Sequence, residues 1–466
     1  MTQSTDSTVE HETARASVPH DVGRKRQMTL VATSLGFAVI QLDVFVVNVA
    51  VKQIGGALGG GTSDLQWVVG AYTLLFAALI LTGGALGDRF GARRIYSLGF
   101  AVFVVASMAC GLAPNMAMLV VARAVQGAGA ALLGSCSLAL LNHTFGEEGE
   151  RSRAIGIWAA GASVALSAGP IVGGVLIASV GWRSIFFINL PIGALGLFLT
   201  RRYADETPTG DRRIDLPGQT AAMITMGGLA GALIEGGAVG FSTPLVVICL
   251  AVAALAGAAF LALETRTSEP MLPLALFRRR AFAGPALLGL VINVAFYGLI
   301  FVFSIFFQRE QGFSALQAGL AFLPITAVVL VANLSARPIG AAIGTRGVIL
   351  LGLSAMAVGC AGLLTIERST PLVEIVVQQV LLGGGIGLVV PPMTNSLMAS
   401  VERWRSGIAA GTLNTTRQTG SVLGVAVFGT LIASKGSFIA GFHVALGISI
   451  VLVAVGMLLT RRIASS

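Results

Sequence analysis

The chain has 466 residues, of which 55% are hydrophobic and 11% are charged, and its mean hydropathy is +0.86. Soluble domains carry about 25% charged residues, so this composition excludes an ordinary soluble protein and indicates a membrane protein. The net charge of +9 would suggest nucleic-acid binding in a soluble chain. Here basic cytoplasmic loops explain it, so we expect the lipid bilayer and no nucleic acid as a partner.

Residues 1–27 precede the first apolar segment. This stretch is polar and has no apolar core of the kind found in cleavable signal peptides. We therefore expect a disordered cytoplasmic tail, with Arg24, Lys25 and Arg26 anchoring the first helix on that side.

Fourteen apolar segments are long enough to cross a bilayer, which takes about 20 residues of helix. They lie at 28–51, 65–87, 95–112, 117–140, 154–177, 184–200, 216–236, 243–263, 284–307, 314–335, 347–366, 371–399, 407–434 and 439–460. The sequence therefore predicts an all-α, multi-pass membrane protein whose even number of spans puts both termini on one side.

The distribution of basic residues tests this topology, because cytoplasmic loops carry an excess of Lys and Arg. With the N-terminus inside, 23 of the 30 Lys and Arg residues fall in inner segments and five fall outside. The remaining two, Arg123 and Arg417, lie within spans. A missed or additional span would mix the two sides, so the distribution indicates that both termini are cytoplasmic.

The lengths of the loops predict how the spans are grouped. The longest inner connections, at 201–215 and 264–282, bracket spans 7 and 8. We therefore expect the tail at 1–27 to be followed by a six-helix bundle at 28–200, a two-helix insert with its linkers at 201–282 and a second six-helix bundle at 283–466. Two six-helix halves around a midplane site are a common plan of transporters.

Asp43 is the only ionisable residue of the first span. A carboxylate at that depth costs about 2.5 kcal/mol or more, and such residues usually mark the path of an ion or a substrate. The alternative is a carboxyl group that only holds two helices together.

Arg123 is a fixed cation in span 4 that requires an anion. It lies about 10 Å below the outer boundary at 1.5 Å per residue, and Asp43 lies about 12 Å below it. The two can therefore pair, either directly or through water and Gln126, which is three residues further along the same helix face. A static buried salt bridge is the alternative, although desolvation makes such a pair a poor stabiliser.

The predicted inner loop between spans 2 and 3 combines glycine with charged residues. A tight turn is possible at Gly91, and Asp88 can cap a helix or pair with arginine. A charged turn that only follows the positive-inside rule is the simpler interpretation. The candidate residues of this loop are Gly84, Asp88, Arg89, Gly91 and Arg93.

Small residues recur at every fourth position of span 5, from Gly161 to Gly173. Such a stripe lets another helix approach closely, and it is common in membrane helices generally. Pro170 follows Gly169 directly and should kink the helix. The motif of interest is therefore Gly169, Pro170, Gly173 and Gly174.

Several other polar residues lie within the spans. Most of them are expected to form hydrogen bonds between helices, and some are expected to line a cavity. The candidates for a substrate cavity are Gln41, Asn48, Gln126, Asn293, Asn414 and Arg417.

Sequence motifs for an ATP-driven motor or a catalytic centre are absent. The chain contains no Gly-Lys-Ser/Thr sequence, no H-E-x-x-H and no C-x-x-C, and its four cysteines are widely spaced in apolar segments. We therefore expect no enzyme activity, no cofactor, no metal and no disulfide. An ion gradient is the remaining energy source, with Asp43 as the candidate proton carrier.

Nine stretches taken together resemble the major facilitator superfamily, and specifically its fourteen-helix drug:proton antiporters. They are Leu42–Ala50, Gly84–Arg94, Arg123–Ala131, Gly169–Gly174, Trp182–Gly193, Pro270–Pro273, Leu276–Arg278, Gln317–Pro324 and Asn414–Gly420. The chain length and the sequence Ala232–Gly236 look closest to actinomycete antibiotic-resistance exporters of the methylenomycin and puromycin kind. The resemblance covers roughly residues 28 to 460.

This resemblance implies a major facilitator fold and export of drugs, antibiotics or similar small amphipathic compounds across the cytoplasmic membrane, driven by protons. It assigns proton coupling to Asp43 and Arg123, gating to the Gly84–Arg94 loop and the antiporter motif to Gly169–Gly174. It also suggests a functional monomer. An exporter of an endogenous metabolite or a proton-coupled importer is the alternative, and a non-transporting sensor or scaffold is a different class that leaves Asp43 unexplained.

Two departures from the family pattern bear on function. Ala92 stands where the signature loop usually has Arg, so a gating ion pair there shifts by one residue or is absent. Span 10 lacks the additional acid that some exporters of dications carry, so neutral, monocationic or acidic substrates are expected instead.

Overall fold

The computed structural model describes residues 20–210, 215–267, 272, 274–402, 406–433 and 437–461. Every regular element in these ranges is helical. The helices are α1 His20–Leu58, α2 Thr62–Phe90, α3 Ala92–Gly111, α4 Met116–Thr144, α5 Glu148–Ser179, α6 Ser184–Phe187, α7 Asn189–Tyr203, α8 Leu216–Val239, α9 Pro244–Arg266, α10 Leu274–Phe277, α11 Arg280–Ile305, α12 Ala315–Ala321, α13 Leu323–Gly362, α14 Leu372–Ala399, α15 Ser406–Ala433 and α16 Phe438–Thr460.

About 12 to 14 of these helical segments are long enough to cross a membrane. Among the described residues, 12 continuous stretches are both long and apolar enough, and one of them, Ala315–Thr365, has 51 residues. Gly344 breaks the helical path inside that stretch with a φ of 76°, which glycine tolerates. α15 has 28 residues and is also long enough to span. The expected all-helical membrane protein is therefore what the chain forms.

The structure differs from the sequence expectation at the start of α1 and within predicted span 6. α1 begins at His20, eight residues before the first predicted span, whereas residues 1–19 of the expected tail lie outside the described ranges. Predicted span 6 is divided into α6 and α7 at Ile188. Most of the Pro270–Pro273 stretch also lies outside the described ranges, because only residue 272 belongs to them.

Tight packing joins the two halves at one end of the bundle, where α1 ends and α2 begins. We call it the outer end because the basic residues predict that it faces outside. There Gln66 Nε2 of α2 donates to the carbonyls of Val425 and Ala426 in α15, at 3.1 and 2.9 Å. Lys52 of α1 donates to the carbonyl of Gln308, at 2.5 Å. Hydrogen bonds from side chains of the first half to backbone carbonyls of the second half therefore hold the outer end closed.

The insert helices α8 and α9 lie along one side of the bundle. α8 packs against both α2 and α15, whereas the neighbour of α9 is α8. Trp67 Nε1 of α2 donates to Glu235 of α8 at 2.9 Å, and Thr430 of α15 donates to the carbonyl of Leu233 at 2.7 Å. α8 therefore covers the line along which α2 and α15 meet and is bonded to both.

Candidate functional site

Asp43 of α1 and Arg123 of α4 form a salt bridge in the interior of the first bundle. Only 2% of Asp43 and 1% of Arg123 is exposed. Nη1 of Arg123 donates directly to Oδ2 of Asp43. The structure thus brings together the two ionisable residues for which the sequence predicts a similar depth in the membrane.

Three further side chains complete the hydrogen bonding around this pair. Gln126 Nε2 donates to Asp43 Oδ1 at 2.8 Å, and its Oε1 accepts from Arg123 Nη1 at 2.7 Å. Asn189 Nδ2 of α7 donates to the same Asp43 oxygen at 3.0 Å. Ser107 Oγ of α3 accepts from Gln126 at 2.8 Å and from Asn189 at 3.4 Å. Four helices therefore meet at one carboxyl group.

Arg123 is held from several directions. Its Nε donates to the carbonyl of Val68 in α2, at 3.0 Å. The centre of its guanidinium lies 4.3 Å from the ring centroid of Tyr72 and 5.9 Å from that of Phe186. Attraction between a cation and an aromatic face compensates part of the desolvation of the guanidinium. The arginine is thus fixed in place by α2 and α6 as well as by Asp43.

The hydrogen bonds that the described residues make to the Asp43 carboxyl group all come from N–H donors. Arg123, Gln126 and Asn189 all present N–H groups to its two oxygens. An ionised carboxylate only accepts hydrogen bonds, whereas a protonated one must also donate. The arrangement therefore suits the charged form, and its desolvation is offset by charge-assisted bonds.

Sequence reasoning did not select Ser107 or Asn189 as site residues. Asn189 did carry a signal, because it lies in the Trp182–Gly193 stretch and Pro191 follows it two residues later. Ser107 carried none, since serine is frequent in membrane helices and usually bonds to its own backbone.

The signature loop lies at the opposite end of α2 from the outer end. Gly91 takes a φ of 95° between α2 and α3, where a side chain would be strained. Arg93 donates its backbone N–H to Glu206 at 2.9 Å and its side chain to the carbonyl of Arg201 at 2.7 Å. Arg94 lies 3.6 Å from Glu206. The contacts of these two arginines are with the linker that leads from α7 towards the insert.

The other loop candidates occupy the same corner. Gly210 donates its N–H to the carbonyl of Asp88 at 2.8 Å, and Arg89 lies over the ring of Phe90 at 5.3 Å. Gly84 is in α2, where a Cβ would come 4.0 Å from Ser135 of α4.

The Gly169–Gly174 motif lies between α1 and the second bundle. A Cβ at Gly169 would come 2.9 Å from Cβ of Phe45, and one at Gly173 would come 3.2 Å from Val46. On the other side, a Cβ at Gly174 would come 2.9 Å from the backbone of Leu316 in α12. Pro170 belongs to the same contact, because its carbonyl faces Gly319 of α12. The motif therefore touches residues next to Asp43 and the opposite half at once.

The cavity candidates do not form one group. Gln126 belongs to the Asp43 network, whereas Asn48 donates to the carbonyl of Val44 at 2.8 Å and lies where α1 meets α11. Asn293 donates to the carbonyl of Gly289 at 2.7 Å. The remaining three are partly exposed; they are Gln41, Asn414 and Arg417. Within the described ranges, no three His, Cys, Asp or Glu side chains come close enough together to hold a metal ion.

Comparison with known proteins places the chain in a family. A profile of the Major Facilitator Superfamily matches residues 33–425 and, in a second match, residues 286–465. The chain resembles a solved peptide transporter of the POT family over 95% of its own length and 97% of that chain, with a TM-score of 0.70 and 13% identity. This structural likeness concerns the fold alone.

Sequence relatives extend the comparison. The multidrug resistance protein Stp of Mycobacterium tuberculosis is 40% identical over 415 residues, which cover 89% of this chain and 77% of Stp. The methylenomycin A resistance protein of Streptomyces coelicolor is 37% identical over 90% of this chain and 87% of its own. The puromycin resistance protein of Streptomyces alboniger is 34% identical over 87% and 82%. The chain belongs to the Major Facilitator Superfamily, as the sequence motifs predicted, and these relatives are drug-resistance members of it.

Proposed function

We propose that the protein is a proton-coupled antiporter that exports drugs, antibiotics or similar small amphipathic compounds across the cytoplasmic membrane. The observation that carries the proposal is the buried Asp43–Arg123 pair. In it, the side chains of Arg123, Gln126 and Asn189 donate hydrogen bonds to the Asp43 carboxylate. The relatives, whose names specify drug resistance, support the exporting direction.

The coupling step follows from the chemistry of a buried carboxyl group. Arg123, Gln126 and Asn189 favour the charged form of Asp43 while they touch it. If the helices move apart, the same carboxyl group is left in an apolar place without a cation, and it then takes up a proton. A change between outward and inward access that alters these contacts therefore couples protonation to transport.

The glycine motif and the signature loop have structural roles in this cycle. The Gly169–Gly174 surface keeps α5 close to α1 and α12, so it limits leakage between the halves. The Gly84–Arg94 loop, held by Glu206 and Arg201, gates the inner end. The exporter has fourteen spans, both termini in the cytoplasm and no cofactor, and it works as a monomer.

The decisive test replaces Asp43 by Asn, which keeps the size of the side chain and removes its titration. We expect proton-driven uptake into inverted vesicles, which corresponds to export from the cell, to fall at least about tenfold while the protein stays folded. Glu374→Gln is the matched control, because it removes an exposed carboxylate from the first turn of α14. Unchanged uptake in the Asp43→Asn protein would refute the assignment.

The alternative functions differ in direction and in proton movement. An importer would accumulate its substrate in the opposite vesicle orientation, and an exporter of an endogenous metabolite would confer no resistance in a growth panel of antibiotics and dyes. A sensor or scaffold would show no proton movement when compounds are added.

A further inference from the structure

Arg417 is an interior cation for which the described residues provide no counter-ion. It lies about 16 Å along α15 from Ser406, at 1.5 Å per residue, and so near the middle of the span. Its Nε atom is enclosed and has no hydrogen-bond partner, and its side chain forms no ion pair with any residue that the structure describes. Arg123, by contrast, is paired with Asp43.

The sequence explains why Arg417 stays unpaired. Between 283 and 466 the only acids are Glu310, Glu367, Glu374 and Glu402, and each of them lies at or beyond the end of a spanning helix. In the spans of the first bundle the sole carboxylate is Asp43, which is fully occupied. Charges inside a membrane protein are costly and are usually paired, so Arg417 is suited to hold a counter-ion that the described part of the chain does not supply.

Arg417 lies against α11 of the second bundle. Its Cγ would lie 3.4 Å from a Cβ at Gly289 of α11, and Tyr297 of the same helix is close enough to interact with it electrostatically. The ring of Tyr297 lies 6.4 Å from the ring of Phe45 in α1, two residues after Asp43. Arg417 therefore lies on the second-bundle side of the centre, opposite the helix that carries Asp43.

Within the described residues, a second cation without an ion pair, Arg337, lies nearer to the inner end. A cavity of about 430 Å³ between α11, α13 and α14 is lined by Arg337 together with Asn333, Asn395 and Ser396, and its lining contains no carboxylate. This volume is in the range of sites for small molecules. A cavity with one cation and several neutral polar groups raises the local concentration of anions.

From these two observations we infer that the exporter accepts amphipathic organic anions with a single carboxylate, and that Arg417 binds the charged group. This inference rests on the proposed transport function and specifies its substrate class. The guanidinium offers two parallel N–H groups that match a carboxylate, and Asp43, held by Arg123, does not compete for it.

Binding of matched probes to the purified full-length protein in detergent tests the inference. The probes are naphthylacetate, its methyl ester and naphthylmethylammonium, titrated while the Tm is followed, since a ligand that binds the native state raises it. We expect the apparent affinity for the carboxylate to exceed that for the ester at least about tenfold. Arg417→Ala should remove this preference without changing ester binding, and Arg417→Lys should keep part of it. Arg266→Ala, at the exposed end of α9, is the control and should keep all of it.

Two outcomes would overturn the inference: equal or tighter binding of the ester or the ammonium by the unmodified protein, or a carboxylate preference that survives in Arg417→Ala. The assay needs no gradient, so Asp43→Asn should retain the preference even though it cannot couple protons. Failure of proton coupling and failure of anion recognition therefore give different results.

Discussion

At the scale of single residues, Asn189 has the most specific role that the sequence did not reveal. It donates to the same oxygen of Asp43 as Gln126 does, from a helix that begins at Asn189 itself. Loss of this donor leaves the charged carboxylate less well solvated by the protein. Asn189 is therefore a positioning residue for the coupling carboxyl group.

Replacement of Asn189 by Ala should lower proton-driven transport. The variant removes a side-chain donor that holds an oxygen of Asp43 in place, so we expect transport to fall at least about threefold while the protein stays folded. The measurement is proton-driven uptake into inverted vesicles. Asn142→Ala removes an exposed amide at the end of α4 and should transport like the unmodified protein. Unchanged transport in the Asn189→Ala protein would refute the positioning role.

How much of the site could be predicted follows from the energetic cost of a charge within a span and from the geometry of the helix. Asp43 and Arg123 could be selected because a charge within a span is expensive, and Gln126 because it is three residues from Arg123 on the same helix. The rise per residue gives depth along the membrane normal, but it does not give lateral position. Ser107 and Asn189 approach Asp43 laterally from α3 and α7, so only the packed structure reveals them.

At the scale of helices, α5 packs closely against both α1 and α12. Helices in a membrane gain little by burying apolar side chains against each other, because the surrounding lipid is also apolar. Close approach of their backbones is therefore a main source of attraction between them. Gly169 allows this approach against Phe45, next to Asp43. A larger residue there separates α5 from α1.

Replacement of Gly169 by Leu should lower proton-coupled efflux at least about fivefold or uncouple it, because α1 must shift where it carries Asp43. Efflux and the passive proton leak of reconstituted vesicles report the two outcomes. Gly156→Leu is a control in the same helix, because a Cβ there meets nothing within 4 Å. Equal behaviour of both variants would remove the special role of Gly169.

The helices show where sequence patterns suffice. The length of the apolar segments predicted the spans, and Gly169–Pro170 predicted a kink in α5. Apolar length did not predict that α13 runs from Leu323 to Gly362, with one break in the helical path at Gly344. The residues between predicted spans 10 and 11 are themselves helical. Likewise, no local pattern predicts that Glu206 contacts the signature loop, since 113 residues separate it from Arg93.

At the scale of the whole molecule, anion recognition by Arg417 has an electrical consequence. Export of a monoanion in exchange for one proton moves two charges in the same electrical sense, whereas export of a neutral ester moves one. A membrane potential of 100 mV is worth about 2.3 kcal/mol for each charge that crosses. The potential should therefore drive the anion about twice as strongly as the ester.

This expectation can be measured in proteoliposomes with equal pH on both sides and a potential set by potassium and valinomycin. The logarithm of the steady-state gradient of naphthylacetate should depend on the potential with about twice the slope found for its methyl ester. Liposomes with the Asp43→Asn protein supply the background. Equal slopes for the two compounds would contradict anion-for-proton exchange.

The insert gives the molecule two unlike sides. α8 is bonded to α2 by Trp67–Glu235 and to α15 by Thr430–Leu233, so it covers the line where these helices meet. No insert helix covers the side where α5 faces α12 and α13 in the described part of the chain. A compound dissolved in the lipid therefore meets the insert helices on one side of the molecule and the direct contact of α5 with α12 and α13 on the other.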